Sequence, residues 1–213
     1  MLIHFDYDGV LVDSFCQVLG IAQSVQTRLG LGREPVAEDL RAIHQLTLKE
    51  LGRVIGIPEE RAGEYAAEVF HMLRDDFGNL PVLDGMAEVL RNLSRKHTLA
   101  IMTANAREVV GRVLRQSGLD NFIREIFDGG SPDSKAEKIN ASMEKFGFAR
   151  HRTFMVGDAL SDITEGKKAG VKTIAVTWGY QPRERLIDGN PDYIIDKPAE
   201  LLEIFQEHEK GKR

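Results

Sequence analysis

Two aspartates two positions apart, Asp6 and Asp8, stand in the run FDYDGVLVDS at residues 5–14, at the end of an apolar stretch. In extended backbone, side chains two apart point to the same side, so both carboxylates can address one site. Gly9 behind them lets the chain turn away closely. A second acidic pair, Asp158 and Asp162, stands in VGDALSD at residues 156–162 after another apolar run. Taken alone, Asp6 and Asp8 fit equally well a turn that caps a helix, and the wider context decides between the readings. Four carboxylates gathered on one rim repel one another strongly unless a cation sits among them. An all-oxygen ligand set without His or Cys calls for a hard ion, of which magnesium is the natural choice.

With these residues in this order the sequence resembles the haloacid dehalogenase superfamily, whose first motif has the pattern DxDGxxxDS after a strand. The later run GDALSDITEGKKAGVKTIAVTWGY, residues 157–180, resembles the phosphoglycolate phosphatase branch, as does PDYIIDKPAELL, residues 191–202. The resemblance implies that Asp6 attacks phosphorus, forming an aspartyl phosphate that water then hydrolyses, with Asp8 as general acid and base. An alkoxide leaving a phosphate ester needs a proton whereas a halide does not, and dehalogenase branches lack an aspartate at the second position, so Asp8 argues for phosphoester chemistry. To serve as an acid near neutral pH, Asp8 must hold its proton more tightly than a free carboxylate.

The same resemblance implies a ligand set for Mg2+: a carboxylate oxygen of Asp6, the backbone carbonyl of Asp8 and the side chain of Asp158, with Asp162 orienting bound waters or binding directly. It implies that Thr103, closing the run LAIMT, binds a phosphate oxygen with help from the Ala104 amide. The family more often has a polar residue where Ala104 stands. Asn105 and Glu108 have the spacing of a capping box for the next helix. In SPDSKAEKI, residues 131–139, Ser134 and Glu137 form another such pair and place Lys135 at the first helical position. A cation there opposes the helix dipole, which is easier to understand if it faces an anion. Lys135 is therefore the phosphate-binding candidate. Lys138 is the alternative, and two solvated surface lysines are the third reading. His44, Gln45 and Thr47 lie where related proteins place a substrate-contacting loop, and a helix-helix turn without ligand contact is the competing reading for them. That loop usually contains a glycine, and residues 43–49 have none.

The elements that must position these residues are short apolar runs rich in Ile, Val and Thr at residues 2–5, 99–103, 122–127, 153–156 and 173–177, each reading as a buried strand. Amphipathic helical patterns fall at 86–96, 107–117, 135–146 and 163–169, with Gly118, Gly147 and Gly170 as stop signals. Strand and helix thus alternate from residue 81 onward, which predicts an α/β, Rossmann-like, doubly wound parallel sheet. Residues 14–80 break the alternation. Helical patterns at 15–29, 37–43, 46–55 and 59–77 occur there without a convincing strand, so an all-helical cap over 15–80 is expected to be inserted into a core of residues 1–14 and 81–213. Residues 207–213 read as a fraying charged helix end.

Bulk properties agree with an ordinary globular chain. Its 213 residues are 42% hydrophobic and 29% charged, and the net charge of −5 leaves no global basic field to attract nucleic acid. A single cysteine, Cys16, excludes an intramolecular disulfide, and its apolar neighbours suggest packing. The six histidines show no metal-ligand spacing. With no signal-like start and no apolar stretch of membrane-spanning length, a cytoplasmic location is expected, without membrane association. The leading function is Mg-dependent hydrolysis of a small phosphorylated metabolite, phosphoglycolate-like by resemblance. A phosphosugar mutase similar to beta-phosphoglucomutase is the enzymatic rival, and a non-enzymatic phosphate-binding or interaction module is the rival of another class. Arg33, Arg41 and Lys49 are candidate recognition residues, and oligomeric state is not legible.

Overall fold

A computed structural model describes residues 1–43, 47–76, 80–130 and 133–211. Six parallel strands form one sheet: β1 (Leu2–Asp6), β2 (Thr98–Met102), β3 (Glu125–Phe127), β4 (Thr153–Gly157), β5 (Lys172–Val176) and β6 (Tyr193–Ile195). Their spatial order is β3-β2-β1-β4-β5-β6, so the winding reverses direction at β1. Ligands of open α/β sheets bind at the carboxyl ends of the strands beside such a reversal.

Alternation of side chains along the central strand feeds two cores. Ile3 and Phe5 enter the larger one, joined by Val89 and Leu93 of α5 (Met86–Leu93), Val110 and Leu114 of α6 (Arg107–Gln116) and Leu201 and Phe205 of α10 (Glu200–Lys210). Leu2 enters the other with Met102, Met155 and the α7 (Lys135–Phe146) residues Ala136, Ile139 and Met143. His4 is wholly buried, its Nδ1 3.2 Å from the Phe154 carbonyl and its Nε2 2.6 Å from the Ser142 hydroxyl. Burial pushes its pKa down to about 3, against a smaller opposing effect of the Phe154 carbonyl.

Between β1 and α5 come α1 (Phe15–Leu29), α2 (Ala37–Ala42), α3 (Leu48–Val54) and α4 (Glu59–Asp76), with no strand among the described residues. Ala22 and Val25 of α1, Leu51 of α3 and Tyr65, Val69 and Leu73 of α4 pack together, and the Tyr65 hydroxyl donates to the Ala22 carbonyl at 3.2 Å. Gly30 closes α1 in the left-handed conformation at φ 63°.

Several elements differ from the sequence reading. The run at 122–127 is a strand only over its last three residues, because Asp120–Phe122 form a 3-10 turn and the edge strand is only half buried. The helix expected at 163 begins at Leu160, since Asp162 accepts the Ala159 amide at 3.2 Å and caps its first turn. Strand β6 and helix α9 (Arg183–Asp188) are additional elements. Cys16 is exposed rather than packed: the buried face of α1 is Val18, Ile21, Ala22 and Val25, and Cys16 falls off that stripe. No helix among the described residues is long and apolar enough to cross a membrane.

Candidate active site

Strand register assembles the site. Asp6 ends β1 opposite Met102 of β2, and Phe5 pairs with Val156 of β4, so Thr103 and Asp158 each leave the sheet just beyond the level of Asp6. The turn after β1 depends on Gly9, whose φ of 71° suits glycine and whose absent Cβ would stand 2.2 Å from Asp158 Oδ2. Gly179 makes the same room on the other side, where a Cβ would lie 2.3 Å from the Asp158 carboxylate.

Asp6, Asp158 and Asp162 present carboxylate oxygens that all lie within 4.8 Å of one another. Asp6 Oδ1 accepts the Tyr7 amide at 2.8 Å and faces Lys135 Nζ at 3.2 Å. Asp162 Oδ1 accepts from the same ammonium at 2.5 Å. Asp158 Oδ2 accepts the Tyr180 amide at 2.6 Å, while its Oδ1, although buried, has no hydrogen-bond partner. Burial raises the Asp6 pKa to about 7; Lys135 opposes the rise, and Asp162 and Asp8 add to it. Burial also holds Asp158 well above the usual carboxylate range, reinforced by Asp6 and Asp162. Lys135 is held above its ordinary value, the desolvation that would lower it being outweighed by Asp162 and Asp6. Ionised together, the three clustered carboxylates would outweigh the one ammonium, and one of them, Asp158, keeps a buried oxygen without a partner. The donor set therefore fits a hard divalent cation.

Asp8 stands apart from the cluster. Its Oδ1 accepts the Ser14 hydroxyl at 2.7 Å and its Oδ2 the Asn105 side-chain amide at 2.6 Å. Expected on sequence grounds as a rim of four convergent carboxylates, the site instead holds three together and turns the fourth toward neutral donors. Burial raises the Asp8 pKa, and the hydrogen bonds from Ser14 and Asn105 oppose the rise. Because Ser14 gives its single hydroxyl hydrogen to Asp8, the Tyr180 hydroxyl 2.8 Å away must be the donor in the next link. A chain Tyr180 to Ser14 to Asp8 results.

The profile of the haloacid dehalogenase-like hydrolases matches residues 3–176. The chain belongs to that family. A phosphoglycolate phosphatase of Synechococcus elongatus is 28% identical over 201 residues, covering 93% of this chain and 94% of its own. A pyrophosphatase of Bacillus mycoides is 34% identical over 122 residues, 55% of this chain and 57% of its own. Among solved structures, a haloacid dehalogenase-like family hydrolase of Streptococcus pneumoniae superposes with a TM-score of 0.85 at 23% identity, covering 96% and 97% of the two chains, a likeness of fold.

In this haloacid dehalogenase-like hydrolase a cavity of about 560 Å³ opens over the rim, lined there by Asp6, Asp8, Thr103, Ala104 and Lys135. Thr103 is buried and its hydroxyl oxygen accepts the Asn105 amide at 3.0 Å, which leaves its own hydrogen to donate elsewhere. Ser134 and Glu137 form the expected capping box, with Lys135 as the first residue of α7. Lys138 also lines the cavity, but its ammonium is bound to the Asp128 carbonyl at 2.6 Å and not to the acidic cluster. The capping box of Asn105 with Glu108 does not form: Ala106 is the N-cap of α6, and the Asn105 side chain goes to Asp8. Thr47 lines the cavity and caps α3 by accepting the Glu50 amide at 3.2 Å. His44 and Gln45 lie outside the described residues.

Ser14, Asn105, Tyr180 and Gln181 are site residues that sequence reasoning did not single out as such. Ser14 is the last residue of the first motif and Tyr180 the last of the later one, so both were in view as pattern and not as chemistry. Buried Gln181 accepts the Leu160 amide and donates to the Ile43 carbonyl, both at 2.7 Å, tying the rim to the helical segment.

Proposed function

We propose that this protein is a magnesium-dependent phosphoric monoester hydrolase working through an aspartyl phosphate on Asp6. The observation that carries the reading is the contrast between two aspartates two residues apart. Asp6 sits beside an ammonium and two further carboxylates, where a bound cation can hold it ionised, whereas Asp8 takes its hydrogen bonds from the neutral Ser14 hydroxyl and Asn105 amide, its pKa raised by burial.

Asp6, Asp158, Asp162 and the backbone carbonyl of Asp8 are the residues to hold Mg2+, which when bound screens the negative charges of the nucleophile and the phosphate from one another. The Thr103 hydroxyl, the Ala104 amide and the Lys135 ammonium bind the phosphoryl oxygens. A carboxylate oxygen of Asp6 attacks phosphorus, the bond from phosphorus to the alcohol oxygen breaks, and Asp8 gives that oxygen its proton. Asp8, now a carboxylate, takes a proton from water as the water oxygen attacks phosphorus. The bond to Asp6 breaks, inorganic phosphate leaves, and both aspartates return to their starting states. Residues 1–14 and 81–213 act as the catalytic core and 15–80 as a cap that admits the substrate and then excludes bulk water.

The substrate is a small phosphorylated molecule, phosphoglycolate being the first compound to test in view of the relatives' names. Phosphate release in the presence of Mg2+, abolished in Asp6→Asn, tests the reading. Isomer formation from a phosphosugar without net phosphate release would replace it by a mutase. Binding of phosphate without any turnover would replace it by a non-enzymatic module.

A further inference from the structure

The two walls of the cavity differ in chemistry. Opposite the rim, the side contributed by α1–α4 and the residues joining them is built from Leu40, Ile43, Leu48, Leu51, Phe70 and Leu73, with Val18 beside them. Thr47 is the single polar side chain there among the described residues, and its oxygen is already an acceptor within its own helix turn. None of the described lysines and arginines of residues 15–76 lines the cavity. Instead Arg33 pairs with Asp39 through both nitrogens, Arg41 with Glu38 at 3.8 Å and Lys49 with Glu59 at 3.1 Å. The remaining charges on the lining are carboxylates, Asp133 and Glu165, and Lys138, whose ammonium is bound to the Asp128 carbonyl.

A carboxylate on the substrate would meet no cation from the described residues of this wall, and sugar hydroxyls would lose water for a largely apolar surface that cannot replace those hydrogen bonds. An aliphatic or aromatic group would bury its surface there. We infer that the site selects phosphate monoesters of apolar alcohols, alkyl or aryl, over phosphoglycolate and phosphosugars. This rests on the hydrolase reading and names the class of alcohol that departs.

The experiment measures kcat/KM by phosphate release in Mg2+ for ethyl, butyl and hexyl phosphate, phosphoglycolate, glucose 6-phosphate and p-nitrophenyl phosphate. Each methylene that enters the apolar lobe should raise kcat/KM by about threefold to fourfold, so hexyl phosphate should exceed both phosphoglycolate and the phosphosugar. Phe70 is 37% exposed, so Phe70→Arg should fold, and it should lower the value for hexyl phosphate and raise that for phosphoglycolate. Turnover with phosphoglycolate or the sugar preferred, or a hexyl-to-glycolate ratio unmoved by Phe70→Arg, overturns the inference and leaves the hydrolase reading standing. Failure to release phosphate from any of the six, p-nitrophenyl phosphate included, overturns the hydrolase reading and the inference with it.

Discussion

The rim of the sheet and the helical segment that faces it solve opposite problems with charge. At the rim, Asp6, Asp158, Asp162 and Lys135 are drawn out of water and packed against one another, so that the pKa values of Asp6, Asp158 and Lys135 all rise. In α1–α4 no described lysine or arginine lines the cavity and several pair with carboxylates away from it, as Arg53 does with Glu59 at 2.5 Å, while the described face toward the cavity is mainly aliphatic and aromatic. Rates should therefore be governed by the sheet and the choice of alcohol by the helices.

Removing the nucleophile should break the comparison most completely. Asp6→Asn is expected to lower kcat by about four orders of magnitude or more on every ester, whatever its alcohol, measured as steady-state phosphate release. Chelation of the divalent cation should do the same to the wild type, with activity restored by Mg2+. Asp8→Asn comes next and should be selective in a way Asp6→Asn is not. On an alkyl phosphate a loss of about a hundredfold to ten-thousandfold is expected. The loss on p-nitrophenyl phosphate should be smaller, because its leaving group needs the proton less. Equal losses on both would remove Asp8 from the role of acid.

Acid stability sharpens the contrast between the two regions. His4 is neutral in the folded sheet, with a pKa near 3, whereas the unfolded chain takes up its proton near 6.5. Its contribution is fully present above pH 6.5 and is lost as pH falls from there toward about 3. At pH 5 this amounts to about 2 kcal/mol, read as a change in urea midpoint from pH 7 to pH 5 that is less favourable in the wild type than in His4→Gln, since the raised carboxylates of Asp6 and Asp158 act in the opposite sense in both proteins. Glu59, held down to about 2 by Arg53 and Lys49 but fully exposed, should contribute little: Arg53→Ala is expected to leave the midpoint nearly unchanged. The smallest predicted effect on rate belongs to the Tyr180 hydroxyl. Tyr180→Phe should reduce kcat about fivefold on alkyl phosphates with KM little altered, and less on p-nitrophenyl phosphate, since the hydroxyl acts through Ser14 on Asp8.

Sequence reading was most informative where a long run of residues carried one period. Helices α1 and α7 have the boundaries that their patterns and following glycines suggested, and the central strands follow from continuous apolar runs. Strand β6 is three residues long between Pro191 and Pro198, too short to show any period, and the edge strand β3 is diluted by Arg124 and Glu125. Side-chain direction was harder to read than element type. Asn105 has the spacing of a cap yet serves Asp8, because a buried carboxylate is a stronger acceptor than an exposed helix end is a demand. Lys135 and Lys138 lie three apart at one helix start, and only the fold shows that the first reaches Asp6 and Asp162 while the second is taken by a carbonyl. The likeness that pointed to phosphoglycolate was carried by residues 157–180 and 191–202, which build the sheet side and hold none of the apolar wall.

The most direct test of the central claim is rapid acid quench of the Mg-loaded protein during turnover, followed by peptide mapping by mass spectrometry. One phosphoryl group on the peptide containing Asp6, absent from Asp6→Asn and discharged when the substrate is exhausted, is the predicted result. A protein that turns over its substrate while Asp6 never carries phosphate, or while the label sits on another residue, would contradict the account.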